Sequence, residues 1–310
     1  MRAVSSLLLS LALSPACDAQ TPVTAQYENV HGAAVYSNGY LLSLDSPEYT
    51  QVTVYGRDAK PAFSAPERMG DSHVSWAVDS DGVVAGAYWA RHLMEGHIDL
   101  LDRTGIVTRT ISTGSYIPLQ VVFAPDHTIW TAGNIALNDG SRDFNVLHHY
   151  ARTGEELGQA LSWYQVGGDR KHPVVQPALG SQLLYIANDR IGWNAGWLRP
   201  GRRPPTWIEI SFSGILLGKY DLETTDGLSL WPAAMTASGN VYTRIAKFRS
   251  AARFAVLDRS KGVWQKVVGD PPGALIGSEG DNLVFFDPYG ARPTLRLATS
   301  ASLRLEDAQQ

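Results

Sequence analysis

Seven cations fall close together in two stretches of this chain: Arg190, Arg199, Arg202 and Arg203 in the first, Arg244, Lys247 and Arg249 in the second. Asp189 is the one acid among them, and Trp193, Asn194 and Trp197 are interspersed. A local excess of positive charge stands out in a chain whose net charge is −4. Guanidinium groups take carboxylates and sulfates in bidentate fashion, and indole rings stack on sugars and planar groups. Their chemistry is therefore recognition of an anionic partner: a protein segment, a glycan or an anionic small molecule. The bland alternative is a solvated loop kept soluble by arginine, with Pro204-Pro205 stiffening it.

Reaction chemistry is harder to find. His92, Glu95 and His97 offer two nitrogens and an oxygen within six residues, but a third distant ligand or helical histidine spacing is missing, so a surface hairpin is the better reading. His148 and His149 are adjacent; on a strand their side chains point to opposite faces and cannot chelate together. No Gly-x-Ser-x-Gly elbow, no His-Glu-x-x-His and no phosphate-binding glycine loop occurs. No catalytic residue, no resident metal and no cofactor is assigned. Low charge density (18% charged residues) gives no field for nucleic acid.

The elements that must position these residues are legible as a repeat. An apolar stretch, a polar turn and a second apolar stretch recur six times. Examples are Trp76-Ala77-Val78-Asp79-Ser80-Asp81-Gly82-Val83-Val84 and Val121-Val122-Phe123-Ala124-Pro125-Asp126-His127-Thr128-Ile129-Trp130. Anchoring on Gly39, Gly82, His127, Gln182, Gly239 and Asp281 gives spacings of 43, 45, 55, 57 and 42. A four-stranded propeller blade needs about 40–45 residues. A second set of turns, Arg103-Thr104-Gly105, Arg152-Thr153-Gly154, Phe212-Ser213-Gly214 and Arg259-Ser260-Lys261-Gly262, marks a later hairpin in each unit. The chain is expected to be an all-β, six-bladed β-propeller, with four antiparallel strands, a to d, in each blade.

The surplus residues fall at Gly133–Asp143, Trp163–Gln176 and Asn188–Pro205. The b–c and inter-blade d–a connections of a propeller emerge on one face, and long insertions on one face mark the working side. The arginine-rich stretches are thus expected on that face, around a channel mouth edged by His73, Gln120, Gln176 and Trp231. Ring closure is expected from Thr294–Ala298 and Leu303–Glu306 in the sixth unit, with Gln26–Val30 pairing there as a clasp.

The second-unit run, with Ile98-Asp99-Leu100-Leu101-Asp102-Arg103-Thr104-Gly105 after it, resembles repeats of six-bladed propellers of the NHL and TolB-like type. That resemblance implies a fold shared by binding scaffolds, receptors and lactonases. A lactonase-like member implies a divalent metal held by Glu, Asn and Asp at inner-strand ends. Here those positions carry His31, His73, Gln120, Gln176 and Trp231, with Asp71 just outside, which departs from that pattern. The leading expectation is a non-enzymatic binding or scaffold propeller; the alternative is a metal-dependent hydrolase or lactonase at the channel mouth.

Residues 1–19 have the layout of a secretory signal: Arg2, an apolar run from Ala3 to Leu13, then small residues. The domain is expected over 20–310, secreted or periplasmic and monomeric. Cys17, the single cysteine, is either discarded with the peptide or is a lipid-carrying lipoprotein cysteine. Only in the second case is a membrane a partner. One cysteine cannot form a disulfide within the chain, so stability rests on packing and sheet closure.

Overall fold

The computed structural model describes residues 23–28, 30, 33–44, 52–65, 72–90, 93–135, 144–166, 183–195, 205–223, 228–245, 253–268, 271–289, 291–299 and 304–305. Among the described residues there is no helix. After a first strand β1 (Val23–Gln26), the chain builds blade one from β2 (Ala33–Ser37), β3 (Tyr40–Leu44), β4 (Val52–Tyr55) and β5 (Pro61–Ala65). Blade two is β6 (Ser72–Val78), β7 (Val84–Ala90), β8 (Glu95–Leu101) and β9 (Val107–Gly114). Blade three is β10 (Tyr116–Phe123), β11 (Ile129–Ile135), β12 (Asn145–Tyr150) and β13 (Glu156–Ser162). Blade four is β14 (Leu184–Ile186), β15 (Arg190–Asn194), β16 (Thr206–Ser211) and β17 (Leu216–Asp221). Blade five is β18 (Leu230–Met235), β19 (Val241–Ile245), β20 (Arg253–Asp258) and β21 (Val263–Val268). Blade six is β22 (Ala274–Glu279), β23 (Asn282–Asp287) and β24 (Thr294–Thr299), and a last strand, β25 (Arg304–Leu305), follows.

Each blade is an antiparallel meander in chain order, so the architecture is the six-bladed propeller the repeat implies. The inner strand β10 is buried along its whole length, whereas the outer β9 is exposed at most positions. This gradient from axis to rim explains why inner strands read as continuous apolar runs and outer ones as polar. A single blade leaves two apolar faces uncovered, and the seams between blades bury them. Trp130, Trp163, Trp193 and Ile208 lie in one such cluster between blades three and four; Trp76, Val54 and Leu101 lie in another between blades one and two.

Two closure details differ from expectation. The clasp is β1, three residues earlier than Gln26–Val30, and it pairs with β24 as the outermost strand of blade six (Gln26 opposite Thr294). Tyr27 fixes that register: it is buried, stacks edge-on to Tyr55 and Phe286, and donates its N–H to Pro293 O (2.9 Å). Thr294–Ala298 does supply a strand of blade six, but Arg304–Leu305 pairs with β21 of blade five instead (Val267 opposite Leu305). With β1 already on β24, the sixth outer edge is taken, and the uncovered edge next to it is β21.

The fourth repeat is also shifted. Its a–b turn is Asn188-Asp189, six residues after the Gln182 anchor, and Leu184–Ile186 is the inner strand itself. Blade two shows the usual turn, with Gly82 at φ +84°, a left-handed conformation that favours glycine. Blade four has no glycine there, so its turn carries no such mark in the sequence.

Candidate functional site

The two ends of the propeller axis are built differently. At one end lie the a–b and c–d turns, all short; the turn between β6 and β7 is residues 79–83, and none is longer. At the other end lie the b–c and d–a connections, which include residues 136–144, 195–205 and 163–183.

The short-turn end is knitted by charge. Asp79 follows β6 and is 2% exposed. Its carboxylate accepts the Ser80 N–H (2.6 Å) and meets Nδ1 of His127, from the next blade's turn, at 2.9 Å. Arg152, in the c–d turn of blade three, contacts Asp79 and grips Asp81 with both terminal nitrogens (2.7 and 2.9 Å). Its guanidinium also lies 5.4 Å from the Phe123 ring centroid, a cation–π distance. Asp79, Asp81 and His127 have the donor types and mutual spacing of a divalent-cation site, all within 4.8 Å. Both carboxylates are already engaged by Arg152, which makes this cluster a brace between blades two and three. Sequence reasoning passed over it, although its signal is present: an Asp-x-Asp-Gly turn followed, one blade later, by Arg-Thr-Gly.

A second brace joins blades four and five around Glu209, which is fully buried on β16. Arg259, from the c–d turn of blade five, donates Nε to Oε2 (2.8 Å) and Nη2 to Oε1 (2.6 Å), and also donates to Gly239 O. Arg190 donates Nη1 to Oε2 (3.1 Å), and the Trp207 indole donates to Oε1 (2.9 Å). Burial pushes the Glu209 carboxyl upward, but the donors Arg259, Trp207 and Arg190 outweigh it and hold it below the ordinary range. The hydrogen bond to Asp189, with Glu209 beside it, raises Arg190 further, so it is a fixed cation. Gly192 permits this arrangement, because any side chain there would collide with the Trp207 ring.

These contacts correct part of the expected binding set. Arg190 belongs to the a–b turn at the start of β15, on the face opposite the b–c connections, and is spent on Asp189 and Glu209. Trp193 is 1% exposed in the seam between blades three and four, so its ring is core and offers no stacking surface. Asn194 is likewise buried, its N–H bonded to Leu183 O (2.8 Å). The reason is the shifted turn: with the b–c connection beginning at Ala195, residues 190–194 form a central strand, whose alternate side chains enter the two seams.

What remains at the long-connection end is Arg244 and its surroundings. Arg244 is exposed near the end of β19 and sits directly opposite Trp231, which is half-buried on β18. The Tyr185 hydroxyl of blade four donates to Pro232 O (2.9 Å), tying the neighbouring inner strand to the same spot. Burial pushes the Tyr185 hydroxyl well above the ordinary tyrosine range, with the Arg244 charge opposing the shift. Gln120 is buried and accepts the Leu183 N–H (2.9 Å), bridging blades three and four from inside. His73 lies on β6 opposite Tyr88. Trp197, Arg199, Arg202, Arg203, Lys247, Arg249 and Gln176 lie outside the described residues, as do His31 and His92. A cavity of about 70 Å³ lies on the axis toward the short-turn end, lined by Tyr36, Ser37, Phe123, Tyr185, Met235 and Ser278 among others. Among the described residues, Gln120 and Trp231 do not line it.

His148 and His149 face opposite ways as strand geometry requires: His148 stacks on Tyr116 (3.7 Å between centroids) and His149 on Trp130 (4.3 Å). His97 stacks on Tyr88 (5.0 Å) and Glu95 is exposed.

No family model matches the chain, and no curated protein matches it in sequence. Solved structures of similar fold include a protein of unknown function from Bacteroides caccae, at 12% identity over 74% of this chain and 78% of that one, with a TM-score of 0.45. They also include the WD40 domain of Neurospora crassa Pan2, at 12% identity over 85% and 74%, TM-score 0.44. TolB from Acinetobacter baumannii is similar at 13% identity over 88% and 64%, TM-score 0.43. The blade count rests on strand pairing and not on these likenesses.

Proposed function

We propose that the protein is a non-enzymatic binding or scaffold propeller that takes an anionic partner on its b–c face. Acidic protein segments, acidic glycans and anionic small molecules share the required chemistry. The observation that supports this reading is the contrast between the two axial ends. At the short-turn end the cations Arg152, Arg190 and Arg259 are consumed by Asp79, Asp81, Asp189 and Glu209. At the other end Arg244 is exposed beside Trp231. The flanking connections of blades four and five contribute Arg199, Arg202, Arg203, Lys247 and Arg249 to the sequence and no acid. The N-terminal sequence, Arg2 with the apolar run to Leu13, supports export from the cytoplasm.

The test is titration of the protein with heparin and with poly-glutamate, followed by tryptophan fluorescence at two salt concentrations. Binding of either that weakens about tenfold in Arg244→Glu, and weakens with salt, supports the reading. Equal affinity for wild type and Arg244→Glu overturns it. The enzyme alternative is met by metal analysis with a panel of lactones and esters, where stoichiometric metal together with turnover would replace the proposal.

A further inference from the structure

We propose that blade three carries a pH-operated latch: a proton on His148 turns its contact with Glu156 from repulsion into attraction and fastens the outermost strand β13 onto β12. The His148 ring is buried on β12 and stacks on Tyr116 of β10, with 3.7 Å between centroids and 15° between planes. Both of its nitrogens are engaged. Nε2 lies 3.1 Å from Asn145 O, and Nδ1 lies 3.2 Å from the Tyr150 hydroxyl and 2.8 Å from Oε1 of Glu156. Gln159, opposite His148 in the ladder, donates to that same Oε1 (2.7 Å) and accepts from the Asn145 side chain (3.1 Å). The carboxylate is thus set against the ring by a partner of its own.

A neutral imidazole has one N–H and one acceptor nitrogen. A carbonyl oxygen only accepts, so Asn145 O places the hydrogen on Nε2 and leaves Nδ1 as the acceptor. The Tyr150 hydroxyl can donate to Nδ1, but the Glu156 carboxylate then faces a lone pair at 2.8 Å, which is repulsive. A second proton makes Nδ1 a donor. The same contact becomes an ion pair, and Asn145 O keeps its hydrogen bond. The Glu156 side chain is 41% exposed, so water can take it while the ring is neutral.

Among the described residues, Glu156 is the charged group that faces the ring. Tyr116 and Tyr150 are the other titratable groups against it, and burial raises both hydroxyls, so they stay neutral. From β11 comes the uncharged Thr131, whose hydroxyl donates to His148 O (3.4 Å). From blade two, Arg109 reaches the adjoining c–d turn and donates to Thr153 O (2.9 Å). Burial lowers the proton affinity of His148, Glu156 and Asn145 O raise it, and burial prevails. The latch therefore closes on the acid side of the ordinary imidazole value of 6.5. Asn145 is the first residue of β12, at the long-connection end, and Glu156 is the first residue of β13, at the short-turn end. One ring thus ties the two ends of this outer hairpin together.

The test is the titration of the ring itself, followed by NMR on the full chain with histidine labelled at Cε1, the His148 signal being assigned by its nuclear Overhauser contact with the Tyr116 ring. Glu156→Gln is expected to weaken proton binding at His148 about tenfold, because it removes the charge that opposes burial. Hydrogen exchange read by mass spectrometry gives the second arm. Across residues 156–160 the wild type is expected to exchange about fivefold more slowly than Glu156→Gln below the His148 midpoint, and at the same rate above it. A midpoint that Glu156→Gln leaves unchanged overturns the proposal. So does an exchange ratio that does not vary with pH, or a His148 ring that takes up no proton before the chain unfolds.

Discussion

The seam between blades two and three and the seam between blades four and five solve one problem in two ways. In both, an arginine from a c–d turn reaches back to a carboxylate of the preceding blade. In the first, the charge is spread over two acids: Asp79 is buried, but Asp81 is 41% exposed and Arg152 is 27% exposed. In the second, one fully buried carboxylate, Glu209, collects two arginines and an indole. Sharing makes a brace tolerant, because either acid can neutralise the arginine in the other's absence. Concentration makes a brace brittle, because Arg259 and the Trp207 indole share one buried carboxylate that water cannot replace, while Arg190 keeps a second acid, Asp189.

The sharpest way to break the comparison is Glu209→Ala. It leaves Arg259 and Arg190 facing each other across a buried gap, and a loss of about 3–5 kcal/mol is expected in denaturant unfolding. Acid should mimic it in the wild type. Because the folded state holds this carboxyl below its ordinary value, its contribution is present above about pH 4.5 and disappears as pH falls. The variant should therefore lack that part of the acid sensitivity; an unchanged slope of stability against pH below that value would contradict the assignment.

Asp79→Ala is the matching test of the shared brace. Asp81 keeps its bidentate hold on Arg152, and the expected loss is about 1–3 kcal/mol. A loss equal to that of Glu209→Ala would mean that Asp81 does not substitute. Arg57→Ala should matter least. Its 3.6 Å pair with Glu279 is solvent-exposed on the arginine side, so a change of about 0–1 kcal/mol is expected. A larger drop in unfolding midpoint would show that the seam of ring closure depends on charge after all.

The amino-acid sequence determined the blade count, the a-to-d order of the strands in the first five blades and the tight turns of blades two, three and five. It could do so because those features are local. A glycine at positive φ after an Asp-rich turn, and apolar runs at the spacing of a hairpin, are dictated by nearest neighbours. Blade four departs from the expected repeat because its a–b turn is the short Asn188-Asp189 and the long connection before it offsets the spacing. That shift moved Arg190, Trp193 and Asn194 from a supposed loop onto a central strand, where they are structural. Only the tertiary structure decided which cations are spent and which face solvent. Arg190 and Arg244 look alike in sequence, but one lies within reach of Glu209, nineteen positions along the chain, and the other is exposed opposite Trp231. Likewise β25 chose blade five over blade six because β1, from the far end of the chain, already occupied β24. Charge pairing and edge covering are long-range contacts, set by which blades become neighbours when the ring closes.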